Sequence, residues 1–179
     1  MRKLKHHEIP RVAPEALTSL KRHPIVVIVD NVRSLHNVGS LFRTADACAL
    51  EAIILTGITP TPEHPGIHKT ALGAQDFVPW KYIPDPAEAA QYVKKQGYTL
   101  AALELTDTPT YIEELQAEHF PLALIIGHEV HGVRDDVLEQ ADLALEIPQY
   151  GAKQSLNVAV AFGIAAHNLV QHWRKLQEP

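Results

Sequence analysis

The chain of 179 residues contains a single cysteine, Cys48, set among small residues in Ala45-Asp46-Ala47-Cys48-Ala49. A disulfide framework is excluded, and a buried, inert thiol in the reducing cytoplasm is expected. Long apolar runs are also missing. The most apolar long segment, Ser155 to Val170, is broken by Asn157, His167 and Asn168 and followed by Gln171, His172 and Arg174. No charged-apolar-small signal opens the chain, so no membrane role is expected. Nor is there a surplus of positive charge. The formal net charge is -5, which argues against simple adhesion to nucleic acid, because that binding is driven by neutralising phosphates. Finally, neither Gly-x-Gly-x-x-Gly nor a phosphate-loop lysine follows the first strand-like run, where the chain reads Asn37-Val38-Gly39-Ser40. A nucleotide-linked oxidoreductase or hydrolase on an ordinary Rossmann sheet would carry one of them.

What is present suits one α/β core. Residues 1–24 form a basic tail with Arg2, Lys3, Lys5, His6, His7, Arg11, Lys21, Arg22 and His23, and the domain proper occupies 25–179. Pro24 precedes Ile25-Val26-Val27-Ile28-Val29, a β-branched run typical of a strand buried on both faces. Further strand-like runs recur at Ala52 to Thr56, Phe77 to Ile83, Thr99 to Leu105, Leu122 to Ile126 and Leu143 to Ile147. Helical patterns cover Val38 to Leu50, Pro86 to Gln96, Asp135 to Gln140 and Ser155 to Gln177. Strands alternating with crossovers predict an open, mostly parallel sheet with flanking helices. The stretch Gly57 to Gly73, rich in Pro, Thr and His, has no periodicity and reads as a mobile surface loop. On the last helix Phe162, Trp173 and Leu176 are large apolar groups near the chain end, and their burial in a homodimer is expected.

Three constellations sit where strands end. Asp30 to Ala45 follows the first strand with Asn37 at a helix start, as its expected cap, and Arg43 further in, aimed at a cleft or a salt bridge. Ile126-Gly127-His128-Glu129-Val130-His131-Gly132 places a carboxylate between glycines at another strand end, Gly127 permitting a ligand to approach the backbone. His128 and His131 are three apart at a turn rather than four apart on a helix, so no metal site is expected. Ile147-Pro148-Gln149-Tyr150-Gly151-Ala152-Lys153-Gln154-Ser155-Leu156-Asn157 is a strand-to-helix junction in which Ser155 serves either as a helix cap or as a substrate contact.

Asn37-(x)-Gly39-(x3)-Arg43-Thr44-Ala45, Ile126-Gly127-(x)-Glu129-(x2)-Gly132 and Ile147-Pro148-(x2)-Gly151-(x3)-Ser155-Leu156-Asn157-Val158 occur in order. Together they resemble the three motifs of the SpoU (TrmH-like) family of RNA 2'-O-ribose methyltransferases in the SPOUT superfamily. Lys69-Thr70-Ala71-Leu72-Gly73-Ala74 is similar to a fourth family stretch, with Leu72 in place of Ser. His128 before the Glu and Ala159 after Asn-Val depart from the family's usual residues.

The resemblance implies a C-terminal trefoil knot, a homodimer and S-adenosylmethionine as methyl donor, held near Gly127, Ile147, Gly151 and Leu156. It implies a catalytic region of Arg43, Asn37, Glu129, Ser155 and Asn157 acting on RNA, with no metal. The family assigns the arginine as base. A guanidinium with a pKa above about 12 offers donors only, so a phosphate clamp is the alternative. Glu129 is expected to orient Arg43 or Asn37, from its own or the partner subunit. The short segment before the first strand favours tRNA over rRNA as substrate. A non-catalytic RNA-binding or assembly module retaining the fold is the competing reading.

Overall fold

A computed structural model describes residues 1–9 and 20–178. Arg11 of the expected basic tail lies outside them. The β-branched run forms β1 (His23–Asp30), whose residues from Ile25 onward are buried. It lies centrally because it is apolar on both faces: Ile25, Val27 and Val29 join one core with Phe42 and Phe162, while Val26 and Ile28 join a second with Ala89, Val93 and Val137.

Around it lie β2 (Leu50–Thr56), β3 (Trp80–Ile83), β4 (Thr99–Leu103), β5 (Leu122–Ile126) and β6 (Leu143–Leu145). The order across the sheet is β3-β2-β1-β5-β4-β6, and every pairing is parallel. The helices are α1 (Leu35–Ala47), α2 (Pro65–Ala71), α3 (Pro86–Lys95), α4 (Asp135–Leu138) and α5 (Val158–Leu176). With this parallel order the loops after β1, β4, β5 and β6 emerge at one carboxyl edge.

Several expectations are corrected. The stretch 57–73 is not merely a loop: Pro65 at the first helical position and the His64 ring, accepting from the Gly66 N–H at 3.0 Å, start α2. This helix packs against α1 so closely that a Cβ on Gly39 would sit 2.1 Å from Thr70 Oγ1 and 2.5 Å from the Ile67 carbonyl oxygen. Gly39→Ala is therefore expected to cost about 1–3 kcal/mol, read as a fall in Tm of several degrees; an unchanged Tm would contradict that contact. Helix α1 begins earlier than its apolar pattern suggests, because Ser34 rather than Asn37 is the cap and accepts from the Asn37 N–H at 3.3 Å.

Phe162 is not a dimer-face residue but lies fully buried in the chain's own core, and Trp173 packs on Phe120 with centroids 4.8 Å apart. Two of the basic residues expected near the N-terminus are internally engaged. Arg22 donates to the Leu50 and Phe77 carbonyls at 3.0 and 2.7 Å, and Arg2 pairs with Glu8 at 2.7 Å.

At the far edge, β6 is held on both sides. Leu103 pairs with Leu145 from β4, while Thr110 donates to Ala144 O at 2.7 Å and accepts from Glu146 N at 3.1 Å. Residues 104–109 thus cross from one edge of β6 to the other. Helix α5 packs against the stretch that follows Thr110, where His172 Nε2 lies 2.7 Å from Leu115 O.

Candidate active site at the carboxyl edge

The loop after β5 is a tight turn. His128 and Gly132 exchange backbone hydrogen bonds, both 2.9 Å, and Gly132 adopts φ +68°, open to glycine at little cost. A Cβ on Gly127 would lie 2.0 Å from the Gly132 carbonyl carbon and 2.1 Å from Val133 N. The residue is thus required to be glycine by its own turn, and its backbone also lines the cleft described below.

The turn projects Glu129 towards α1. One carboxylate oxygen accepts from Ser34 N and Asn37 Nδ2, each at 3.1 Å, and the other from Arg33 N at 3.2 Å. Partial burial opposes ionisation, but hydrogen bonds from its own backbone, Ser34, Arg33 and Asn37 outweigh it and hold the carboxyl below the usual carboxylate range. With the folded value below the unfolded one, ionised Glu129 contributes stability that is fully present above the unfolded value, about 4.3, and is lost as pH falls through the folded value. The urea-midpoint difference between wild type and Glu129→Gln is expected to be constant at neutral pH and to shrink below about pH 4. A difference that persists undiminished to pH 3 would rule this out.

Asn37 links this carboxylate to the last helix: Asn157 Nδ2 donates to Asn37 Oδ1 at 3.2 Å. Asn157 is also the cap of α5, its Oδ1 accepting from Ala159 N at 2.9 Å and Val160 N at 3.3 Å. The cap is therefore not Ser155, whose hydroxyl is left for the cleft wall. Loops from three strands thus converge in one chain of contacts, Glu129 to Asn37 to Asn157. Each amide keeps one N–H uncommitted within it.

Beneath this rim lies a cleft of about 220 Å³. Gly127, Glu129, Ile147, Ser155 and Leu156 all line it, with Leu103, Ile126 and Ala161 adding apolar wall. Two anticipated residues are elsewhere. Gly151 is exposed and has nothing near its Cβ position. Arg43 is exposed in a separate groove with Ser40, Lys69, Thr70 and His167. Within one copy of the chain Glu129 accordingly holds Asn37, while Arg43 lies in the other groove.

Sequence reasoning missed Glu104. Its two oxygens accept from Leu105 N and Val133 N, both at 3.0 Å, tying the end of β4 to the β5 turn at the cleft wall. The signal was available: like Glu129, it is a carboxylate directly beyond a buried strand. No group of three or more metal-ligating side chains is present among the described residues.

Residues 24–167 match the SpoU rRNA Methylase family. The chain is 34% identical over 146 residues to tRNA (guanosine(18)-2'-O)-methyltransferase of Thermus thermophilus, covering 80% of this chain and 73% of the relative. It is 30% identical over 150 residues to 23S rRNA (guanosine-2'-O-)-methyltransferase RlmB of Nitrosomonas europaea, covering 84% of this chain but only 57% of that protein. Among solved structures, the TrmH/SpoU tRNA modifying enzyme of A. aeolicus superposes with a TM-score of 0.78 at 27% identity, over 90% of this chain and 84% of that one. An AdoMet-bound rRNA methyltransferase from Sinorhizobium meliloti gives 0.75 at 26% identity, over 90% and 61%.

Fold, cleft and relatives define a class, the RNA methyltransferases that draw their methyl group from S-adenosylmethionine. Within that class, the chain belongs to the SpoU rRNA Methylase family. The cleft suits this donor on chemical grounds. Leu103, Ile126, Ile147 and Leu156 offer apolar contact for an adenine ring, and Glu104, Glu129 and Glu146 offer negative charge to a cationic cofactor.

Proposed function

We propose that this protein transfers a methyl group from S-adenosylmethionine to a ribose 2'-OH of RNA, with tRNA as the favoured substrate. The observation that carries the reading is the Glu129–Asn37–Asn157 chain of hydrogen bonds at the mouth of the cleft. When bound, the cofactor supplies an electrophilic methyl carbon and leaves as a neutral thioether, so no metal is needed.

Gly127, Ile147 and Leu156 would hold the cofactor, with Ser155 also in the cleft wall. The remaining N–H groups of Asn37 and Asn157 donate to the acceptor ribose and aim its hydroxyl into the cleft, which is catalysis by orientation. Glu129 is ionised and committed to three donors, so it positions Asn37 and does not take the substrate proton. That proton leaves to water or to a phosphate oxygen of the RNA.

A relative named as a tRNA (guanosine(18)-2'-O)-methyltransferase, of which the chain spans 73%, supports tRNA. Transfer of labelled methyl groups from S-adenosylmethionine into separated tRNA and rRNA of a gene-deletion strain is the test, followed by mapping of 2'-O-methyl positions. Label in tRNA is expected. Label in rRNA alone would overturn the substrate, and label in neither would overturn the activity.

Two architectural features complete the proposal. Residues 104–109 cross β6 and α5 packs against the stretch that follows Thr110, which supports a C-terminal trefoil knot. On α5, Val160 and Ile164, one turn apart, are 50% and 37% exposed. This exposed apolar stripe is the face we assign to a homodimer working in the cytoplasm. A monomer in sedimentation would contradict it.

A further inference from the structure

The turn that presents Glu129 to α1 also carries two aromatic rings. His128 and His131 stack with centroids 4.9 Å apart and planes inclined by 27°. The arrangement is rigid for a reason visible in the backbone. The reciprocal hydrogen bonds between His128 and Gly132 close the turn, and His128 Nδ1 accepts from Val130 N at 3.0 Å and His131 N at 3.3 Å. Those contacts place the ring proton of neutral His128 on Nε2 and fix the ring plane.

The two rings have different surroundings. His128 is partly buried and lines the cleft, whereas His131 is exposed and lies outside it. The outer ring is therefore turned to whatever arrives from solvent rather than to the cofactor. A methyltransferase acting on a ribose in folded RNA must hold a nucleotide drawn out of its stack, and unstacked bases are held by aromatic faces. Glu129 separates the two histidines in the chain and anchors Asn37 at the ribose-facing rim. The rings are thus carried by the same turn as the carboxylate that anchors the rim.

We propose that the His128–His131 pair is a stacking platform for a nucleobase of the RNA substrate, at or beside the methylated nucleotide. The assignment rests on the methyltransferase reading above. His131 supplies the face that meets the base, and His128 is a positioning residue that backs it and ties the platform to the cleft. Because every base has a π-face, the platform contributes affinity and placement without strict base identity.

The test compares wild type with His131→Ala and His131→Phe, using a hairpin RNA with 2-aminopurine in its loop and S-adenosylhomocysteine present. Stacking quenches the probe. Wild type and His131→Phe are expected to quench at similar protein concentrations, while His131→Ala should require about tenfold more, the scale of one lost aromatic–base stack. Quenching by His131→Ala equal to wild type would overturn the platform. An equal loss in His131→Phe would also overturn it, by pointing to the imidazole nitrogens instead of the ring face. Methyl transfer by wild type, measured in parallel on bulk tRNA and rRNA, separates the two readings: no transfer with intact quenching would overturn the enzymatic function and leave the platform standing.

Discussion

Replacing Glu129 with Ala is expected to slow methyl transfer about hundredfold, the scale on which misplacing a reacting group by an ångström is felt. The carboxylate touches neither the reacting oxygen nor the methyl group in the proposed mechanism. Its loss frees the N–H groups of Arg33 and Ser34 and the amide of Asn37, all near the protein surface where water can replace the contact. The fall in Tm should therefore be small, on the order of a few degrees. Asn37→Ala should cost a similar factor, and the double variant little more than either alone, because the two side chains act as one unit. Losses that multiply would show that Glu129 and Asn37 serve separate purposes.

Arg43 is expected to give the second large effect, and its position on α1 bears on how it acts. It follows Asn37 by six positions on α1, which is about 9 Å along the axis and roughly 120° around it. Within one copy of the chain it cannot share the ribose-facing rim with Asn37. Its groove is bounded by Gly163 and His167 of α5, the helix whose exposed stripe is assigned to the dimer. In the proposed homodimer we therefore assign Arg43 to the partner's cleft, an assignment the next variants test. Arg43→Ala is expected to lower kcat/KM for RNA about hundredfold without changing S-adenosylmethionine affinity, as befits loss of a bidentate phosphate contact. Arg43→Lys keeps the charge but not the fork and should recover only part of the loss; near-wild-type turnover would remove the need for a guanidinium. Mixing Arg43→Ala with Glu129→Ala should restore about a quarter of wild-type activity, since half of the dimers are mixed and one of their two sites is intact. No recovery would place both residues in the same subunit's site.

The strands were legible because burial on both faces leaves continuous β-branched or apolar runs. Leu122 to Ile126 matches β5 residue for residue, and Ile25 to Val29 lies wholly inside β1. The ends were less so. Helix α1 starts at Leu35 because a serine three residues before Asn37 caps it, and no apolar periodicity reports a cap. Helix α2 was invisible because only Ile67 and Ala71 of its seven residues are buried, too few to show a period. The rim residues Asn37, Glu129 and Asn157 were legible as motif positions, and the cleft wall contains Gly127, Ile147, Ser155 and Leu156 as anticipated. Their connections were not legible. That Asn157 both caps α5 and bonds Asn37 depends on two helices meeting across 120 positions of chain, a distance that local pattern cannot span. Glu104 escaped for the same reason, since its partner Val133 lies 29 residues away.

The position of Asn157 also has a bearing on synthesis. Leu156, Val158 and Ala161 wall the cleft, and they belong to the junction and first turn of the final helix. A nascent chain that has completed β5 has its Glu129 turn but no opposing wall. Ribosomes add about 5–20 residues per second, so the whole of α5 is made within a few seconds of that junction. Until it docks, a newborn copy lacks one wall of the cleft and the amide that ties Asn37 to the last helix, so the site is assembled by the last of these elements to be made.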